Sequence, residues 1–114
     1  MSYFVVISEQ GPSWMDARPM REQVLWPEHA VFINSLSAEG FILLGGPIGN
    51  GHPHRALLIV SAESRSGAAA RLDADPWVSA GVLRTSSIEP WKILASNEKL
   101  DPVIAEITGT PPPG

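Results

Sequence analysis

Cysteine is absent from the 114 residues, which excludes a disulfide framework, a thiolate nucleophile and any cysteine-ligated zinc or iron–sulfur centre. Basic residues are few. Eight Lys and Arg stand against 12 Asp and Glu, a formal net charge of −4 with a pI near 5.2. Nucleic-acid binders draw much of their affinity from neutralising phosphates with a basic surface, so that class is set aside. No apolar run approaches the roughly 20 residues of a spanning helix, and the start of the chain lacks a secretory signal's basic n-region and apolar h-region. What is present is 44% hydrophobic and 18% charged, a globular composition with length for one core. The expectation is a single cytoplasmic domain without membrane or nucleic-acid partners.

Tyr3-Phe4-Val5-Val6-Ile7 is a β-branched and aromatic run stopped by Gly11-Pro12, and reads as a first strand. The stretch from 13 to 25 is irregular, with room for a helical turn. Leu25, Trp26, Ala30, Phe32, Ile33 and Leu36 then recur at helical spacing. Pro27 is tolerated only in a first turn, so this helix starts near Trp26, and Gly40 suits its C-terminal cap. A second strand opens at Phe41-Ile42-Leu43-Leu44, Asn50-Gly51 supplies turn chemistry, and Ala56–Val60 is the third strand. Ser64 caps a second helix through Leu72. Asp75-Pro76 opens one more turn that stops at Gly81, and a fourth strand spans 82–94, interrupted near Ser86-Ser87.

This β-α-β-β-α-β order is the ferredoxin-like motif, a four-stranded antiparallel sheet with helices on one face. In the strand order 4-1-3-2 the second and fourth strands are edges, and these carry Pro47 and Pro90. Proline lacks the N–H that a central ladder needs, so its placement supports the order. The two central strands are near-continuous apolar runs, which calls for cover on both sheet faces. Helices supply one face. A second copy of the chain supplies the other, giving a homodimer packed through sheet faces, unless the tail after residue 95 folds back instead. That tail, 96–114, is read as a short strap followed by a proline-rich end.

His29 follows Leu25 and precedes Phe32 and Leu36 on one helical face, so its imidazole points inward and needs a partner. A core histidine satisfied by a carbonyl or a water is the commoner outcome for such a position; a general acid or base in a pocket is the sharper one. Asp75 is the candidate partner. Before Pro76 it serves as an N-cap, and a capping carboxylate retains an oxygen that can fix an imidazole tautomer. Asp73 belongs on the solvated side. Trp26 and Trp77 are the candidate aromatic walls. Gly45-Gly46-Pro47 lies in an edge strand with no phosphate-loop pattern, and marks either a bulge or a ligand's approach. His52 and His54 flank Pro53 with no third ligand at recognisable spacing, so a solvated loop is expected and no metal is assigned. Arg21 and Arg84 are candidate anion anchors, or ordinary surface charge.

Together, Tyr3-Phe4-Val5-Val6, Trp26-Pro27-Glu28-His29, Leu44-Gly45-Gly46-Pro47, Asp73-Ala74-Asp75-Pro76-Trp77, Ala80-Gly81-Val82 and Glu89-Pro90-Trp91 resemble the YciI-like (YCII-related domain) family over residues 1–95. The resemblance implies a dimeric α/β-barrel protein, related in fold to muconolactone isomerase and cofactor-independent monooxygenases. It also implies a His–Asp pair in a pocket, matching His29 and Asp75 here, and some relatives are dehydrochlorinases. The stretch from Gln10 to Leu25 is longer than in short members and suits a lid.

Three functions follow as expectations. The first is a cofactor-independent isomerase or lyase that moves a proton on a small cyclic or aromatic acid. The second is a non-catalytic module that binds a metabolite in the same pocket. A monooxygenase without cofactor is the third. No metal or organic cofactor is indicated.

Overall fold

The computed structural model describes residues 1–97. The expected tail therefore lies, apart from its first two residues, outside the described residues. Strand β1 spans Ser2–Gln10 and a 3-10 turn covers Met20–Glu22. Helix α1 (Trp26–Ala38) is followed by β2 (Ile42–Ile48) and β3 (Arg55–Ala62). Helix α2 (Arg65–Asp73), the one-turn helix α3 (Pro76–Ser79) and β4 (Leu83–Trp91) complete the order. All pairings are antiparallel, and the sheet runs β2-β3-β1-β4. This is a ferredoxin-like α+β fold with the proline-bearing strands at its edges.

The caps form where the local chemistry directs them. Ser64 Oγ accepts the Gly67 N–H at 3.0 Å, closing the first turn of α2. Asp75 does the same for α3, accepting the Trp77 N–H at 2.9 Å. Gly81, at φ 74°, ends that turn in the left-handed region. The chain enters α1 through Leu25, which is also left-handed at φ 62°. A side chain there costs about 1–3 kcal/mol. Packing of Leu25 against the Trp77–Val82–Leu83 cluster offsets that strain.

Alternation along β1 sends Phe4, Val6 and Ser8 toward the helices. Phe4 and Val6 join Leu58, Val60, Ile88, Leu36, Ala68 and Leu72 in the main core. The opposite face presents Val5 paired with Ile59, Ile7 paired with Leu57, and Leu44 beside Ile59. Described helices cover one face only.

The expected interruption of β4 is a bulge. Val6 pairs with Ile88 and Ile7 with Ser87, but Ser8 pairs with Thr85, so Ser86 is the extra residue. A register change of one residue reverses which side chains face inward. Ile88, Thr85 and Leu83 consequently all face the helices, where strict alternation would have sent Thr85 and Leu83 outward. In β2 the irregularity falls at Leu43. The bulge considered for the glycine pair thus lies at Leu43, two residues before Gly45. Strand limits also differ from expectation: β4 runs only from Leu83 to Trp91, just after Pro90, β1 runs on to Gln10, and β3 extends to Arg55 and Ala62.

The segment after β1 is tied down at Gly11, whose N–H donates to the Val82 carbonyl at 2.9 Å, while the Ser13 N–H donates to the Gly81 carbonyl at 2.8 Å. A Cβ on Gly11 would collide with the Gly81 carbonyl oxygen, a backbone atom with little freedom to yield. Gly11→Ala is therefore expected to cost roughly 1–3 kcal/mol in urea denaturation, the range for overpacking a filled site. An unchanged midpoint would contradict this packing.

Candidate active site

His29 and Asp75 come from different elements, the end of the first turn of α1 and the cap of α3. Asp75 is 3% exposed, a depth at which an unpaired carboxylate is costly. His29 Nδ1 lies 2.8 Å from Asp75 Oδ2 and 3.0 Å from Oδ1. An ionised carboxylate only accepts, so Nδ1 carries the proton, and in the neutral ring Nε2 holds the lone pair. Asp75 thus serves two donors at once, the Trp77 backbone N–H and the imidazole.

Trp77 holds the ring from behind. Its indole stacks on His29 with centroids 3.8 Å apart and planes 10° from parallel. The indole N–H donates to the Val24 carbonyl at 2.6 Å, fixing the residue before the left-handed Leu25. Trp26 tilts against both, 5.7 Å from His29 and 5.5 Å from Trp77.

A cavity of about 280 Å³ opens between α1 and the sheet. It lies near the lower end of the roughly 300–1,000 Å³ usual for small-molecule pockets. The seven residues assigned to the dyad and the pocket walls from the sequence line it: His29, Asp75, Trp26, Gly45, Gly46, Pro47 and Trp77. Their parts differ. At 1% exposure Trp77 is the backing of His29 more than a surface for a ligand. At Gly45 a Cβ would meet the Leu58 side chain, whereas Gly46 has open space above it. Ser8, inward by the alternation of β1, and its partner Thr85, set inward by the bulge, complete the sheet side.

His54 is the residue whose expected position is wrong. It does not sit in a solvated loop; it is 6% exposed and lines the cavity with His29. Its ring stacks on Trp14 with centroids 4.2 Å apart and planes 11° from parallel, and Trp14 meets Trp77 edge-on. Gln10 grips its backbone from both sides: the His54 N–H donates to Gln10 Oε1 and the Gln10 N–H to the His54 carbonyl. Burial lowers the imidazole below the ordinary histidine value of 6.5, and positive charge at His29 adds to the effect. The neighbouring His52 is exposed, as expected.

The 11–25 segment packs against the Trp77 cluster through Trp14, Met20 and Leu25. Gln23, 3% exposed, pins it by accepting the Met15 N–H at 2.9 Å and donating to the Met15 and Arg18 carbonyls, both at 2.8 Å. Met20 reaches the cavity from this segment. The candidate anion anchors stay outside. Arg84 pairs with Glu9, and the Arg21 guanidinium lies 6.0 Å from the Trp26 ring centre. Asp73 is exposed, as its place at the end of α2 implied. Among the described residues no group of three or more His, Cys, Asp or Glu is placed to hold a metal ion. Nor is any helix among them long and apolar enough to cross a membrane.

The fold and the cavity define a small α+β protein with a carboxylate-held histidine in a largely apolar pocket. A family model, the YCII-related domain, matches residues 1–92, and the chain belongs to that family. Among solved structures it is similar to 5-chloro-2-hydroxyhydroquinone dehydrochlorinase from Burkholderia phenoliruptrix AC1100, in complex with 2,5-dihydroxybenzoquinone. The two are 20% identical with a TM-score of 0.48, over 82% of this chain and 95% of that one. No curated protein matches the chain.

Because asparagine also caps helices well, Asp75→Asn is expected to keep the first turn of α3 where Asp75→Ala loses it. In urea denaturation the alanine variant should be less stable than the asparagine variant by about 1 kcal/mol. Equal stabilities would mean that the cap contributes nothing.

Proposed function

We propose that this chain is a cofactor-independent enzyme that relocates a proton on a small cyclic or aromatic acid or lactone, with an isomerase or lyase outcome. The observation that carries the reading is the pair of contacts between His29 Nδ1 and the Asp75 carboxylate, 2.8 and 3.0 Å, inside the cavity. They leave Nε2 as the free base. His29 abstracts the proton through Nε2 and returns it elsewhere, and Asp75 is the positioning residue that sets tautomer and ring plane. Trp26, Gly45, Gly46 and Pro47 form the walls that receive the ring of the substrate, and Trp77 backs the imidazole. Apolar walls exclude water and favour hydrogen bonds over bulk solvation.

The functional unit in this reading is a homodimer packed through the helix-free sheet faces. Val5, Ile7 and Leu57 lie there half-buried, with Leu44 55% and Trp91 43% exposed at its margins; Ile59, on the same face, is already buried within the chain. An apolar face of this kind is stable in water only when covered. In sedimentation velocity the wild type is expected to run as a dimer and Ile7→Glu as a monomer; a monomeric wild type would contradict the assembly.

The activity test is a panel of small lactones and unsaturated cyclic acids incubated with the protein in D2O and followed by NMR. Wild type is expected to exchange, shift or eliminate at a carbon-bound hydrogen in at least one of them. His29→Gln should slow that reaction by about 100-fold or more while still binding, the range for loss of a general base. Compounds that bind the wild type with no turnover would instead favour a non-catalytic metabolite-binding module.

A further inference from the structure

We propose that His54 is a second catalytic residue of this cavity, a neutral hydrogen-bond donor to the oxygen on which negative charge develops when His29 removes a proton. The inference rests on the reading of His29 as base and narrows its substrate to a carbon acid, a small ring with a carbonyl next to the reacting C–H.

Three observations carry it. His54 is 6% exposed and lines the same cavity as His29, yet its ring makes no hydrogen bond with any described residue. No side-chain nitrogen or oxygen among the described residues is both sealed from solvent and unpaired, so the His54 ring nitrogens are reachable where the residue meets the cavity and are open to a ligand there. Its position is also over-determined: Gln10 grips the backbone on both sides and Trp14 stacks on the ring. Such rigidity is what a transition-state donor requires, because its dipole is in place before charge appears. Finally, the two imidazoles differ in surroundings. A carboxylate holds His29, whereas among the described residues no acid contacts the His54 ring, and burial favours its uncharged form. A neutral imidazole always retains one N–H, and its tautomer adapts to the acceptor it meets.

In the resulting step His29 Nε2 takes the proton from the carbon beside the carbonyl. The C–H electron pair becomes the new C=C bond, the carbonyl π pair moves to oxygen, and the His54 N–H donates to that enolate oxygen. Where the ring also carries a C=C β,γ to the carbonyl, the anion is a dienolate. As the oxygen pair folds back, the electrons of the new C=C shift into the α,β bond, the former β,γ pair takes the proton from the His29 imidazolium at the γ carbon, and the conjugated isomer results. If a β-substituent leaves with its bonding pair instead, the outcome is elimination, and the imidazolium gives its proton to solvent. Positive charge on His29 disfavours protonation of His54, so the donor stays neutral while the base is loaded.

The probe is 4-nitrophenol, a planar oxyanion whose ionised and un-ionised forms absorb differently, with tryptophan fluorescence reporting binding. Bound to wild type it is expected to ionise more readily than free in solution, by about one pH unit, a tenfold change in the phenolate ratio. His29→Gln should keep that preference, and His54→Phe, which keeps a ring to stack on Trp14, should bind the probe and lose it. Retention of the preference in His54→Phe would overturn the assignment while leaving the His29 reading intact. Binding without any preference in wild type would do the same. No binding at all would overturn both. Should His54→Phe fail to fold, the wild-type His54 ring N–H resonance is followed instead: a downfield shift on adding the probe supports the donor, and an unmoved resonance overturns it.

Discussion

The carboxylate of Asp75 is the constraint on which the site depends. It is buried, and its two oxygens meet two obligations, the first backbone N–H of α3 and the imidazole of His29. One interaction is local and ends a helix; the other crosses the fold and joins α3 to α1. Because the same group performs both, α3 cannot shift without moving the histidine. Trp77 reinforces the link, since its N–H is the capped one, its face stacks on His29, and its indole bonds the Val24 carbonyl. The strained Leu25 follows directly after that carbonyl, and this part of the fold tolerates the strain through contacts made by the same tryptophan cluster.

The sheet contributes shape. A single extra residue, Ser86, turns β4 over so that Thr85 and Leu83 face the helices. The cavity floor at that end is therefore partly polar, with Ser8 beside Thr85, while the deeper core around Val6 and Val60 remains apolar. Gly45 on β2 lets the Leu58 side chain pack directly against the strand, where a Cβ would collide with it. Small residues and one bulge thus decide the volume, and the aromatic wall decides its character.

Much of this was legible in the sequence because the signals were local. Helical spacing put His29 on the inner face, an Asp-Pro step marked the cap, and prolines marked the edge strands. The His29–Asp75 contact itself was suggested by residue chemistry and family resemblance, since no periodicity joins positions that far apart. His54 was not legible. His52-Pro53-His54 has the composition of a solvated turn, and what buries its second histidine is Trp14 and Gln10, brought from another part of the chain by the pairing of β1 with β3. A polar tripeptide carries no trace of a distant tryptophan. The inward turn of Thr85 was equally hidden, although the Ser86-Ser87 step did mark where the strand would break.

Everything proposed for the site turns on Asp75 holding His29 as the Nδ1–H tautomer, with Nε2 left free. The most direct measurement is the pair of 15N shifts of the His29 ring, read from two-bond correlations in protein labelled at histidine, at a pH where the ring is neutral. A protonated, pyrrole-type Nδ1 and a bare, pyridine-type Nε2 are expected, with a shift toward averaged values in Asp75→Asn. An Nε2–H tautomer in the wild type, or averaged shifts already present there, would contradict that assignment.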